Sequence, residues 1–375
     1  MSAPLQLRTV QALRAIAALL VMMGHLRTIE ARQSGATEAG LQPFLSDIWI
    51  NGASGVDLFF VISGFIMVWV AGDTAPGSKA AGRFALARAV RIYPLWWLFA
   101  GLTAVYFLVT YSVPWDGAQL DQRGLNGAEY LIKSAFLIPQ DWFPVLNVGW
   151  TLVHEMYFYI IFALLLFLPV TWRGYAMILW GALVIGLAAM GLSDFHAGTV
   201  LELATHPMTL EFLMGAGVAY MIHWGRFNFA LPVLGIGLVW FAAAFALFPY
   251  FQGYNADLGW YRTAIFGLPS ALIVYGLVQL EQHHDFGRRV PDALVRIGDW
   301  SYALYLCHIL VLSAVGRVWF AVFERSWTSS AGFVIAAITA AICTSALAYH
   351  LYERPIIRLG KKQIGGRTVT APPSP

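Results

Sequence analysis

Ten apolar runs, near residues 10–27, 52–70, 93–112, 149–168, 175–192, 207–223, 229–248, 260–280, 300–322 and 331–352, dominate the chain. Each approaches the roughly 20 residues that a helix needs to cross a bilayer. Lipid offers no partner for backbone N–H and C=O groups, so runs of this length and number point to a bundle of transmembrane helices. Composition agrees: 59% of the 375 residues are hydrophobic and 11% are charged, against about 25% charged in a soluble domain. The fold class is therefore all-α and polytopic, with about ten spans. The first run, interrupted by Arg14 and ending at Gly24-His25 without a small-residue cleavage site, reads as a retained span rather than a signal peptide.

Lys and Arg set the orientation. With the N-terminus inside, fifteen fall on inner segments, among them Lys79, Arg83, Arg88, Arg91 and the group from Arg354 to Arg367, and six on outer ones, Arg262 included. Positive-inside bias then puts both termini in the cytoplasm. Residues 1–360 read as one integral-membrane domain. Residues 361–375 mix Lys, Gly and Pro and read as a disordered tail. Residues 128–139 are too short to span comfortably and contain Lys133, which suits a re-entrant or interfacial helix on the outer side. Cys307 and Cys343 both lie in apolar runs and imply no disulfide framework. No metal-ligand spacing and neither common Gly-rich nucleotide loop occurs, so no metal and no nucleic-acid partner is expected.

Ionisable groups are costly in hydrocarbon, and a membrane chain that keeps them usually uses them. Arg14 and His25 are eleven residues apart. At roughly 100° per residue they return to within ~20° of one face, about 16 Å apart along the axis. His25 toward the outer end suits a general base; an interfacial, snorkelling histidine is the plainer alternative. Asp57 opens the second span at a similar depth, where a carboxylate fixes an imidazole tautomer, or else caps a helix or pairs with a structural arginine. Arg88 and Arg91 share a face at the inner end of the third span, a pattern suited to phosphate and equally common as plain positive-inside charge. Glu155, below Trp150-Thr151, either tunes a catalytic group or is a buried acid satisfied by tyrosines. Tyr302, Tyr305 and His308 form a stripe of hydroxyls and an imidazole, which suggests a polar cavity where a core stripe would be apolar.

In this order the segments resemble the acyltransferase 3 family of membrane O-acyltransferases. The resemblance rests on Leu13-Arg14 with His25, Gly55-Val-Asp57-Leu-Phe-Phe-Val-Ile-Ser63-Gly64-Phe65 and Arg88-x-x-Arg91-x-Tyr93-Pro94. It continues through Trp150-Thr-Leu-x-x-Glu155, Ser301-Tyr302-x-x-Tyr305-Leu-x-His308 and Tyr352-Glu353-Arg354-Pro355, over residues 5 to 360. It implies a ten-helix domain of the stand-alone type, multi-pass in a bacterial inner (cytoplasmic) membrane. The donor it implies is acyl-CoA, most often acetyl-CoA; the acceptor is a hydroxyl of an extracytoplasmic or lipid-linked glycan such as exopolysaccharide. The catalytic candidates are then His25, Asp57 and Glu155. Arg14, Arg88, Arg91 and Tyr93 are expected to hold the donor, and Ser63, Trp150, Tyr302, Tyr305 and His308 to line the substrate cavity. Two other readings stand beside it: a transporter or flippase using Arg14, Asp57, Glu155 and His308 as a proton or substrate pathway, and a non-catalytic subunit of an exopolysaccharide complex.

The charge bias gives a direct test. Cysteines introduced into the 73–87 loop should react with impermeant thiol reagents only from the cytoplasmic side, and those in the 30–46 loop only from outside. Labelling of both loops from one face would break this orientation.

Overall fold

The computed structural model of the chain describes residues 7–34, 43–110, 126–191, 198–225, 229–247 and 260–363. In chain order the helices are α1 (Arg8–Gln33), α2 (Ser54–Ala71), α3 (Ser78–Val109), α4 (Gly127–Phe136), α5 (Gly149–Leu165), α6 (Val170–Ala189) and α7 (Val200–Thr205). They continue as α8 (Thr209–His223), α9 (Ala230–Leu247), α10 (Leu268–His284), α11 (Asp292–Val322), α12 (Trp327–Ala348) and α13 (Arg354–Gln363). A π-helical turn, Thr263–Gly267, precedes α10, and another, Tyr349–Glu353, joins α12 to α13. No strand occurs among the described residues. Each of the ten apolar runs is occupied by one of these helices. Among the described residues, eight stretches are long and apolar enough to cross a bilayer by length and composition, while α5 has 17 residues and α8 has 15.

Bare apolar surface shows what surrounds the bundle. Ile178 on α6 is 72% exposed and Val239 on α9 is 71% exposed, a surface that water would not tolerate and lipid would. The chain is a multi-pass membrane protein. α9 buries only Ala230, Gly237 and Ala244. Their seven-residue spacing puts three small side chains on one face, the usual device for close helix packing where lipid removes the hydrophobic drive.

Polar staples align the helices that carry the site. Glu281, near the end of α10, accepts the backbone N–H of Arg8 at 2.8 Å and of Thr9 at 2.9 Å, satisfying the exposed donors at the start of α1. The Arg8 side chain donates to the carbonyls of Gly287 at 2.9 Å and Val290 at 2.8 Å, and to Asp292 at 2.5 Å. The start of α1, the end of α10 and the start of α11 therefore meet at one end, so α1 and α11 run parallel. At Gly298 an added Cβ would lie 2.0 Å from the Gln11 carbonyl oxygen, so the two backbones touch there. From this shared start His25 and His308 reach the same height, about 24–26 Å along the axes. Buried Arg173 on α6 does similar work elsewhere, donating to Gly72 at 2.6 Å, Leu168 at 3.1 Å and Leu166 at 3.4 Å.

α4, expected as a re-entrant or interfacial helix, is tied by its C-terminal end to α3. Its last carbonyls, which no helix can satisfy internally, accept from Trp96 Nε1 (to Ser134, 3.1 Å), Trp97 Nε1 (to Ala135, 2.9 Å) and Tyr93 Oη (to Phe136, 3.0 Å). Residues 361–363, expected as the start of a disordered tail, instead continue α13 through Gln363; the rest of that expectation, 364–375, lies outside the described residues.

Replacing Gly298 by Ala should lower the melting temperature in detergent, since overpacking of this kind costs about 1–3 kcal/mol. Gly82→Ala, where nothing lies within 4 Å of the added carbon, should be neutral or slightly stabilising through helix propensity. Equal behaviour of the two variants would contradict the α1–α11 contact.

Candidate active site

Helices α1, α2, α3, α5, α11 and α13 enclose a cavity of about 380 Å³. Arg14, Arg88, Arg91 and Lys361 supply cations to its wall; Ser63, Thr151, Glu155, Tyr159, Tyr302 and Tyr305 supply hydroxyls and one carboxylate. Phe59, Phe60, Ile66 and Met67 form an apolar flank. Seven of the sequence-predicted residues, Arg14, Ser63, Arg88, Arg91, Glu155, Tyr302 and Tyr305, thus meet here.

The three arginines are held differently. Arg14 donates to Gln11 Oε1 at 3.3 Å. Arg88 lies over the rings of Phe84 (5.2 Å) and Tyr159 (5.5 Å), and its Nε is buried without a hydrogen-bond partner. Arg91 lies over the Tyr302 ring at 5.7 Å, and its Nη1 is 3.4 Å from Oε1 of Glu353. The π-helical turn at 349–353 carries Glu353, 2% exposed, into this position. Such turns recur where a helix must re-aim a side chain. Glu155 accepts from Ser63 Oγ at 3.2 Å and from the Tyr159 hydroxyl, so Tyr159 links the carboxylate to the arginine stacked on its ring. With Glu353 matched to Arg91 and one further carboxylate present, the wall keeps an excess of positive charge. Four cations and a donor nitrogen without a partner fit an anionic ligand with several phosphate oxygens.

Beyond Tyr305 stands a histidine pair. The Tyr305 ring lines the cavity and lies 5.9 Å from the His308 ring; its hydroxyl meets Thr151 Oγ1 at 2.7 Å and the Val148 carbonyl at 3.2 Å. His308 Nε2 is 3.2 Å from His25 Nδ1, with ring centroids 5.0 Å apart. The tautomers follow from the acceptors. His308 Nδ1 lies 3.1 Å from the Leu304 carbonyl, which only accepts, so it carries the proton and its Nε2 is the acceptor. His25 Nδ1–H then donates to His308 Nε2 and to the Val21 carbonyl at 3.0 Å. The Nε2 lone pair of His25 is left for a proton from elsewhere.

Three expectations are corrected. Asp57 does not partner His25. Its fully buried carboxylate receives Arg262 Nε at 2.9 and 3.1 Å and Nη2 at 2.8 Å, and the same guanidinium holds the Ala53 carbonyl at 2.7 Å. Arg262, read from sequence as an outer-loop cation, stands just before the π-helical turn of the α10 segment, and the fully buried Glu211 of α8 lies beside the pair. Tyr93 turns away from the cavity to the Phe136 carbonyl and Trp97; two residues from Arg91, it sits about 200° around the helix. Trp150 packs on His154 at 5.8 Å, and His154 on His206 at 4.5 Å, rather than facing the cavity. Lys361, Glu353, Tyr159, Arg262 and Glu211 were the residues not foreseen, although Glu353 stands inside the quoted Tyr352-Glu353-Arg354-Pro355 motif.

The acyltransferase 3 family, whose profile is described as an acyltransferase domain, matches residues 8–350. The chain belongs to this family. It is 31% identical over 335 residues to the exopolysaccharide production protein ExoZ of Rhizobium meliloti (strain 1021), covering 85% of this chain and 93% of the relative. The acyltransferase MdmB of Streptomyces mycarofaciens is 26% identical over 412 residues, 99% of this chain and 96% of that protein. Nodulation protein 10 of Rhizobium leguminosarum bv. viciae is 26% identical over 348 residues, 85% and 86% of the two chains. No solved structure matches the chain. As a member of the acyltransferase 3 family, the protein is a membrane O-acyltransferase.

Removing one partner of a buried pair leaves the other charge uncompensated, at about 3–5 kcal/mol. Asp57→Ala should therefore cost folded yield and melting temperature, and Asp57→Ala combined with Arg262→Leu should recover much of the loss. A stable Asp57→Ala protein with a specific loss of turnover would restore the catalytic reading of Asp57.

Proposed function

We propose that this acyltransferase moves an acyl group, acetyl in the first instance, from cytoplasmic acyl-CoA to a hydroxyl of an extracytoplasmic or lipid-linked glycan such as a bacterial exopolysaccharide. The observation that carries the reading is the His25–His308 pair standing beyond a cavity whose wall is lined by Arg14, Arg88 and Arg91. The basic end of the bundle, where Arg8 begins α1, is taken as cytoplasmic, which agrees with the positive-inside bias. The nucleotide of a CoA thioester is too polar to cross a membrane, so a donor held by its phosphates at that end presents its thioester deeper in the bundle. The name of the exopolysaccharide production protein ExoZ supports a saccharide acceptor, and a bacterial inner membrane is the setting that this scheme requires.

In this scheme a hydroxyl of the acceptor attacks the thioester carbonyl. His25 Nε2 takes its proton and returns it to the departing sulfur, so CoA leaves as the thiol and the ester gained balances the thioester lost. A hydroxyl is a weak nucleophile at neutral pH, and a positioned base remedies this. His308 orients the imidazole: its Nε2 accepts from His25 Nδ1 both before and after proton transfer. Glu155, Ser63 and Tyr159 form a polar cluster in the cavity wall, suited to fixing the groups around the donor arm.

Purified protein with radiolabelled acetyl-CoA and a glycan acceptor tests this directly. His25→Ala should lower turnover by about 10²–10⁴-fold with donor binding retained. His308→Ala should lower turnover at unchanged donor affinity. Arg88→Ala should weaken donor binding, with Lys restoring it only in part because the planar fork is lost. Near-normal turnover of His25→Ala would remove the histidine from the chemistry, and absence of any acetyl transfer or donor binding would rule out acetyl-CoA as the donor.

A further inference from the structure

The matched family region ends at residue 350, yet the cavity wall does not: Ile357 and Lys361 of α13 complete it. Resting on the acyl-CoA reading above, we infer that Lys361 recognises the phosphate monoester on the ribose of the donor's nucleotide, and so makes α13 part of the donor site.

The cations of the cavity are not equivalent. Arg14, Arg88 and Arg91 are partly buried among helices, and two of them stack on aromatic rings. Lys361 is the exposed cation of the wall. An acyl-CoA has a matching division along its length. Its pyrophosphate joins the pantetheine arm to the nucleotide, and a separate phosphate monoester hangs from the ribose at the far end. If the arm lies along Phe59, Ile66 and Met67 with the pyrophosphate at the inner arginines, the ribose phosphate emerges at the mouth. A flexible ammonium suits a phosphate of variable position there, where a rigid fork would not be needed.

The turn that carries Glu353 to Arg91 also sets the direction of α13. Lys361 lies eight residues beyond Glu353, just over two helical turns along α13. Gly360 packs against Val90 on α3, where an added Cβ would lie 2.6 Å from Val90 Cγ1, so the helix is held on the cavity. Lys362 is adjacent in sequence, exposed and not part of the wall. It provides an internal control, because α13 is basic and an anionic lipid headgroup offers similar phosphate chemistry.

The test measures binding of acetyl-CoA and of acetyl-dephospho-CoA, which lacks only the ribose phosphate, to full-length protein in neutral detergent and in vesicles with and without anionic lipid. Wild-type protein should prefer acetyl-CoA by about 3–10-fold, the range for an exposed charge-assisted contact. Lys361→Ala should erase that preference, weakening acetyl-CoA while changing acetyl-dephospho-CoA less than about 2-fold, and Lys362→Ala should leave it intact. Equal weakening of both donors by Lys361→Ala, or equal effects of Lys361→Ala and Lys362→Ala, would overturn the assignment. An effect of Lys361→Ala confined to anionic vesicles would overturn it too, in favour of lipid binding. Failure of the wild-type protein to bind either donor would instead count against the acyl-CoA reading itself.

Discussion

A charge inside a bilayer must find its partner within the protein, and the fold is organised around that demand. Asp57 is closed by Arg262, Arg91 by Glu353, and Arg173 by three backbone carbonyls from the ends of neighbouring helices. Each pairing joins segments distant in sequence, so each also fixes the position of a helix. Such pairs add little net stability over an apolar core, but they penalise any other arrangement of the same helices. Against that background the unmatched positive charge of the cavity carries information. Arg88 keeps a buried nitrogen without a partner, which a purely structural arginine in a membrane would not be expected to do.

In the proposed scheme the site divides into a binding part and a reacting part. Close packing at Gly298 and the shared capping by Glu281 hold α1 and α11 in parallel register. That register brings His25 and His308 within hydrogen-bond distance, and leaves Arg14 and Tyr302 lower on the same two helices, in the cavity wall. One pair of helices therefore supplies both the histidine pair and part of the cavity wall, to which the proposed scheme gives the roles of proton acceptor and donor cradle. Tyr305 stands between the two, its ring facing His308 and its hydroxyl tied to Thr151.

Much of this was legible from sequence, because the relevant signals are one-dimensional. The apolar runs announced an all-α, multi-pass bundle, and the positions of Arg14, Arg88, Arg91 and Glu155 within them announced a polar interior. What stayed hidden were pairings between spans. Asp57 looked like a partner for His25 because both belong near one end of adjacent helices, yet Arg262, 205 residues later, takes its carboxylate. His308 was expected in the cavity wall; it stands behind Tyr305 as the partner of His25, since only the register of α1 against α11 brings the two histidines together. Tyr93 shares a motif with Arg91 but not a helical face. Lys361 was lost to the tail because a Lys, Gly and Pro-rich stretch reads as disorder, and nothing local signals that α13 folds back onto α3.

The central claim is that one cavity carries a donor from the basic end of the bundle to the histidine pair. A CoA thioester bearing a photoreactive diazirine on its acyl chain reads this out in a single experiment, with labelled positions located by peptide mass spectrometry. The account predicts label on α2 near Phe59 to Ser63, on α5 near Thr151 to Glu155 and on α11 near Tyr305 to His308, all suppressed by excess acetyl-CoA. Label confined to the loops at the basic end, or label that acetyl-CoA does not displace, would contradict it.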